Sequence, residues 1–398
     1  MKEGWTYKKL GEISTDMYRG SGIKRDQVTR EGIPCVRYGE IYTTYSISFE
    51  KCVSHTDLSQ VSSPKYFEHS DLLFAITGES VEDIGKTIAY LGNEKCLAGG
   101  DIVVLKHKQD PKYLSYALSA PNAIRQKGLG KTKLKVVHTN IPALRDITVP
   151  VPPLSEQQRI VSRLDAAFAH IDELKANAEK QLSEARALFQ KALTKAMEPK
   201  EGWEEKKIRE ICLIKGGKRV PQGYKLETEK TDYPYIRVAD FTDEGTISLS
   251  DIHYINSSVF QQIKNYTITD KDIYISIAGT IGKSGIIPSC LNGANLTENA
   301  CKLVLNNGIN QRYVYWFTKS DVFKGQISLA TRQTSQPKLA LTRLAEVCIS
   351  LPSLSEQQRI VSRLDSLSAH VRELEEVTQK TIAECDALKQ ALLRQVFE

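Results

Sequence analysis

The segment Leu-Ser-Glu-Gln-Gln-Arg-Ile-Val-Ser-Arg-Leu-Asp occurs twice in this chain, at 154–165 and, letter for letter, at 354–365. Twelve identical residues do not recur by chance, and their neighbourhoods recur with them. Glu3-Gly4-Trp5 returns as Glu201-Gly202-Trp203, IPCVRYGEI (33–41) faces YPYIRVADF (233–241), and IPALRDITVPVPPL (141–154) faces LTRLAEVCISLPSL (341–354). Likewise DLLFAITGESVEDIGKTIAYL (71–91) faces the shorter DIYISIAGTIGKSGII (272–287). The 398 residues are therefore one unit of about 200, duplicated. Two copies at so long a period indicate a domain duplication, since solenoid repeats run about 20–50 residues. Pseudo-two-fold symmetry follows, and it points to a partner that itself has two related halves.

Each copy divides into two kinds of sequence. After Pro152-Pro153, Ser155 with Gln158 three residues on reads as an N-cap and capping box. Apolar residues then recur at spacings of three and four: Val161, Leu164, Phe168, Ile171, Leu174, Ala178, Leu182, Ala185, Phe189, Ala192 and Ala196. The second copy continues with Val361, Leu364, Leu367, Val371, Leu374, Val377, Ile382, Cys385, Leu388, Leu392 and Val396. A stripe sustained for about six heptads without Gly or Pro predicts a coiled coil. At 1.5 Å per residue each helix is about 64 Å long. Pairing the two stripes buries both within one chain, and the antiparallel arrangement restores the two-fold symmetry. The remainder of each copy mixes short β-rich runs, such as DIVVLK (101–106), DIYISIA (272–278) and DITVPV (146–151), with polar turns and shows no βαβ period. The expected fold is α+β: two pseudo-symmetric mixed α/β domains, 1–153 and 201–353, and two long helical segments, 154–200 and 354–398, pairing as an antiparallel coiled coil.

Chemistry is harder to find. Gly85-Lys86-Thr87 and Gly282-Lys283-Ser284 resemble the end of a phosphate-binding loop, but its first glycine is Ser80 in one copy and Ile277 in the other. A glycine turn after a strand is the better reading. Glu79, Glu82 and Asp83 have Gly279, Thr280 and Ile281 as counterparts, so a solvated acidic loop is expected there and no metal site. The seven histidines form no HxH or HExxH pattern, and His170 and His370 fall at matching helix positions. The eight scattered cysteines form no CxxC pair and read as reduced thiols of a cytoplasmic protein. There is no G-x-S-x-G elbow, no glycine-rich cofactor loop with an Asn/Asp-Pro-Pro-aromatic motif, and no apolar run of about 18 residues. The expectation is a chain without catalytic residues and without a bound metal or cofactor.

Binding remains. The chain's net charge is +6, and the positive excess sits in the two mixed segments, where 1–150 carries 21 basic against 17 acidic residues and 201–350 carries 19 against 16. The stretch RQKGLGKTKLKVVH holds Arg125, Lys127, Lys131, Lys133 and Lys135 with no acid among them, a composition suited to phosphates. Its counterpart, KGQISLATRQTSQPK, offers Arg332, Gln333, Ser335 and Gln336, side chains able to bond base edges. The frames match while these loops differ, as expected if each half reads a different short sequence. Composition alone leaves DNA binding and a protein–protein scaffold both open.

The whole chain resembles the specificity subunit of a type I restriction–modification system. The resemblance rests on Gly4-Trp5 with Leu10–Ile13, on the Ile236–Asp240 strand, on the aspartate-led strand ending in a Gly-Lys turn, and on the closing motif at Val149–Ile160, repeated from Ser350. Two departures lie in the first half: Arg37-Tyr38-Gly39-Glu40 stands where Arg237-Val238-Ala239-Asp240 follows the usual pattern, and the turn is stretched to TGESVEDIGKT. The resemblance implies two target-recognition domains, each docking on one half of a bipartite, asymmetric double-stranded DNA target, with the helices as a ruler. It further implies two modification subunits that carry S-adenosylmethionine, packed on the helices, and two restriction subunits, which use ATP and Mg, able to join them. Glu156, Gln157, Gln158 and Arg159, with Glu356, Gln357, Gln358 and Arg359, are then the expected subunit-interface residues. A coiled-coil scaffold without a nucleic-acid role and, less favoured, a single-chain nuclease are the alternatives.

Overall fold

The computed structural model describes residues 4–81, 83–129, 137–331 and 338–398. The chain forms two compact units, one comprising 1–179 with 378–398 and the other 180–377. Each unit thus takes one mixed domain, the beginning of the helix that follows it and the end of the other helix.

In the first unit, strands Ser14–Arg19, Ile102–His107, Leu72–Ala75, Thr87–Tyr90 and Ser48–Phe49 form one sheet in that order. A second sheet runs Val28–Thr29, Ser54–Thr56, Ile33–Val36, Cys96–Ala98, Tyr66–Phe67. Pairing is antiparallel except where Thr87–Tyr90 meets Ser48–Phe49 and where Cys96–Ala98 meets Ile33–Val36. The second unit repeats the plan with shorter sheets: Cys212–Gly216, Ala300–Leu305, Ile273–Ser276, Ser284–Gly285, and His253–Tyr254, Pro234–Ile236, Asn295–Leu296. Each domain is closed by its first and last strands, Thr6–Lys9 on Thr148–Val151 and Glu204–Lys207 on Cys348–Leu351. The cores match as well. Phe74, Leu105, Tyr113 and Leu118 pack with Leu164, Phe168, Leu393 and Phe397 in one unit. Ile275, Leu303, Tyr313 and Phe317 pack with Leu364, Leu193 and Met197 in the other.

The long helices span Leu154–Met197 and Leu354–Phe397. The first starts two residues ahead of expectation: the carbonyl of Pro153 accepts the N–H of Gln157 at 3.0 Å, so Pro153 and not Ser155 is the N-cap, and Ser155 stands inside the first turn. Within each unit the paired segments run antiparallel. Lys175 meets Asp386 and Asp172 meets Lys389 in the first, and Arg186 meets Glu375 at 2.7 Å in the second. The stripe needs one correction. Leu174, Val377 and Leu388 are 59%, 54% and 48% exposed, and the seam passes instead through Lys175, Thr378 and Lys389. A heptad alternates steps of three and four. After Ile171, reached by a step of three, the next seam position is 175; choosing the nearest leucine breaks the phase.

Candidate nucleic-acid interface

In both units the expected recognition segment springs from the same place. In the first, helix Pro121–Gly128 leads into it and strand Val137–His138 receives it, pairing with Thr77–Gly78 beside the glycine turn. In the second, helix Asp321–Thr331 leads in and Lys338 bridges to Ala278, followed by Leu339 N–H donating to the Ile277 carbonyl at 2.8 Å. Lys131, Lys133, Lys135, Arg332, Gln333, Ser335 and Gln336 lie outside the described residues. Their flanks are therefore fixed on equivalent strand ends.

Two basic residues of the first segment are described, and they part company. Arg125 is exposed and lies 3.4 Å from the Glu398 carboxylate. Lys127 is a correction to the expected phosphate contact, because its side chain is buried. Its Nζ donates to the Leu118 carbonyl at 2.7 Å and to Thr87 Oγ1 at 3.1 Å, and it lies 5.9 Å from the centre of the Phe74 ring. Burial pushes its pKa down to about 7. It follows buried Ala123 by four residues and so shares that face of its helix. In the second unit Ile327 takes this place: a Cβ on Gly85 would meet Lys127, and one on Gly282 would meet Ile327.

The Gly-Lys turns are hairpin turns, as expected. Strands Leu72–Ala75 and Thr87–Tyr90 pair antiparallel across one, Ile273–Ser276 and Ser284–Gly285 across the other. Gly85 and Gly282 have φ of +71° and +87°, the left-handed region that glycine enters without strain. Neither lysine is presented to a ligand: Lys86 Nζ donates to the Tyr45 carbonyl at 3.1 Å, and Lys283 pairs with Asp243 at 2.9 Å.

The Arg-x-x-acid motif follows a strand and caps the short helix after it in both units, with different outcomes. Every nitrogen of the Arg237 guanidinium has a partner, among Asp240, Asp251 and His253. Arg37 uses only Nε, which donates to Glu40 Oε1 at 3.2 Å; Glu40 in turn accepts from Ser54 Oγ at 2.7 Å. Nothing in the motif itself distinguishes these states. The signal lay across the sheet, in which residue pairs beside the strand.

The duplicated segment also sorts into inward and outward residues. Gln157 is buried, donating to the Pro152 carbonyl and to Gln109 Oε1 at 2.8 Å each and accepting the Asp110 N–H at 3.0 Å. Gln357 is buried too, bonding the Pro352 carbonyl and the Asn310 N–H. Both glutamines therefore lock the helix start onto its own domain, which corrects their expected role as partner contacts. Asp165 and Asp365 act alike, accepting from Tyr116 Oη and from Trp316 Nε1, each at 2.8 Å. Gln158 and Gln358 face solvent, and Arg159 and Arg359 form two-pronged pairs with Glu156 and Glu356. Beside each pair opens a small recess of equivalent composition. In the first unit Arg163, Ile160, Leu164 and Val396 line it, and in the second Arg363, Ile360, Leu364 and Ala196.

Among the described residues no group of three or more His, Cys, Asp or Glu is placed to hold a metal, and no helix is long and apolar enough to cross a membrane. Two matched domains, each closed by its own first and last strands and each carrying its differing segment between flanks held at equivalent strand ends, define a duplicated protein. The family model of the type I restriction modification DNA specificity domain matches residues 2–184 and again 200–384, and the chain belongs to that family. Among its relatives, the EcoBI specificity subunit of Escherichia coli is 22% identical over 92% of this chain and 80% of its own length. A putative type I specificity subunit of Haemophilus influenzae is 30% identical over 65% of each chain. In structure, the HsdS subunit of Thermoanaerobacter tengcongensis aligns with a TM-score of 0.56 at 18% identity, covering 100% of this chain and 97% of that one. A chain solved in work on "complex assembly and conformational transition of the type I R-M system" aligns with a TM-score of 0.80 at 19% identity, covering 99% and 97%.

Proposed function

We propose that each mixed domain reads one half of a bipartite, asymmetric DNA target, and that the chain is the non-catalytic specificity subunit of a type I methyltransferase. The long helices set the spacer between half-sites and dock two modification subunits, which bring S-adenosylmethionine; restriction subunits using ATP and Mg join the same assembly. The observation that carries this reading is where the two halves agree and where they differ. The outward faces of the duplicated segment, Glu156–Arg159 with its recess and Glu356–Arg359 with its own, are alike, as two copies of one partner require. The segments between the matched strand ends, 130–136 and 332–337, differ in sequence, as two unlike half-sites require.

The test is to express this chain with a type I methyltransferase subunit in a host that lacks both, and to sequence methylated adenines genome-wide. One split motif with a fixed spacer is expected. Methylation at a continuous motif, or at none by an assembled complex, would refute the reading. The purified chain alone is expected to neither methylate nor cleave DNA.

A further inference from the structure

The two Arg-x-x-acid motifs hold their arginines in different chemical states. Arg37 ends strand Ile33–Val36, and its backbone N–H and Nε are both taken by Glu40, at 3.1 and 3.2 Å. Glu40 is buried and also accepts from Ser54, so this carboxylate is fully used in orienting the guanidinium. The two terminal nitrogens of Arg37 have no partner among the described residues. In the second unit the corresponding nitrogens are consumed by Asp240, Asp251 and His253. The register explains the difference. Ser54 lies opposite Cys35, where His253 lies opposite Tyr235; a serine in the first unit occupies the strand position of the histidine in the second.

The free end of Arg37 opens on a recess of about 750 Å³ whose walls include Gly22, Gly39 and Gly99. Lys24 and Arg25 stand on its rim, exposed and without an ion-pair partner among the described residues. Of the two carboxylates at this recess, Glu40 is committed to Arg37 and Asp101 pairs with Arg19 at 2.7 Å. The recess is thus net positive. Its glycines leave backbone open to close approach, for a Cβ at Gly22 or Gly39 would meet nothing within 4 Å.

We propose that Arg37 reads a guanine in the half-site of the first unit, with Lys24 and Arg25 on the flanking phosphates. This rests on the DNA-reading function proposed above and names a residue for it. Two adjacent, pre-oriented N–H donors match the O6 and N7 acceptors that guanine presents in the major groove. A half-buried arginine held by a carboxylate is suited to selection, whereas exposed cations on a rim are suited to phosphates, which position without specifying. Arg237, with both terminal nitrogens already tied by neighbours, has no free paired fork for such a role, so the two motifs are alike in sequence and unlike in use.

The experiment uses the full chain assembled with its methyltransferase subunit and a duplex carrying the motif found by methylome sequencing, together with single-pair variants across both half-sites. Arg37→Ala is expected to lose about 5- to 150-fold of discrimination at one G·C pair of one half-site, and none in the other. Gly39→Glu places a carboxylate in the recess at a position with open space and without left-handed backbone, so the fold is kept. It is expected to weaken binding of the target by tenfold or more. Lys24→Ala with Arg25→Ala is expected to lower affinity for all sequences together and to flatten the salt dependence. Full discrimination retained by Arg37→Ala, equal loss in both half-sites, or wild-type binding by Gly39→Glu would overturn the proposal while leaving the specificity function standing. A wild-type complex with no sequence preference would sink the function itself, and this inference with it.

Discussion

The first and second units share a plan and differ in where they keep their positive charge. At the position beside the hairpin turn, one buries Lys127 and the other Ile327. At the motif arginine, one leaves a guanidinium end free and the other ties it on all sides. Next to the turn, Lys127 Nζ bonds Thr87, while in the second unit Ser284 and Thr318 bond each other at 2.8 Å. The duplicated scaffold thus diverges in the polar groups that back the surface while each unit keeps an apolar core on the same elements. Recognition can change without the fold being renegotiated.

The sharpest way to break this comparison is to make the first unit resemble the second at Lys127. Below about pH 7 the lysine is protonated in both native and unfolded chains, and the cost of burying the charge is fully felt. Between about 7 and the ordinary lysine value the unfolded chain keeps a proton that the native state has shed, so stability rises with pH and then levels. A shift of this size is worth up to about 4–5 kcal/mol. Lys127→Met should therefore stabilise the first unit most near pH 6, and its advantage should shrink by pH 9 in denaturant titrations. A gap independent of pH would mean that the lysine finds water.

Next in size is the contrast between the loops. Neutralising Lys131, Lys133 and Lys135 together should cost the assembled methyltransferase on the order of 100-fold in affinity at low salt and reduce its salt slope by about three. Sequence preference should hardly move. Arg332→Ala or Gln336→Ala should do the reverse, relaxing one half-site with little change of slope. Binding measured across a salt series separates the two, and an unchanged slope in the triple variant would remove the loop from the interface.

A smaller effect tests where the halves agree. Gln157→Ala and Gln357→Ala should each lose about 1–3 kcal/mol, since each strands buried backbone groups. Gln157 has one more bond to lose and should be the costlier. Separate unfolding transitions followed by calorimetry would show it. Smallest is reversal of Arg186 and Glu375, an exposed pair whose exchange should change stability by under about 1 kcal/mol.

Much of this was legible in the sequence. The repeat gave the duplication, the spacing of apolar residues gave both long helices, and the missing first glycine rightly demoted the Gly-Lys turns. What sequence could not give depends on three-dimensional neighbours. Lys127 reads as part of a basic run because nothing local shows that its helix turns it toward Phe74. Gln157 reads as a surface residue because its partners, Gln109 and Asp110, lie about 50 positions away. Leu174 reads as core because hydrophobicity is visible and heptad phase is not, and the seam accepts the stem of Lys175 with its charge on Asp386. Arg37 and Arg237 differ through a residue on the neighbouring strand, a pairing no motif records.

The charged pairs along the helices have a consequence for how such a chain came to be. Lys175 faces Asp386, and the matching positions of the other copy, Glu375 and Arg186, face each other with signs exchanged. An ancestor with one copy would have had to pair with itself. Two copies of the present first helix, set together in this register, would oppose Lys175 to Arg186; two copies of the second would oppose Glu375 to Asp386. Each half now repels its own kind at these positions and accepts the other. At these positions separated halves would favour mixed over identical pairing, by the small margin that exposed ion pairs supply.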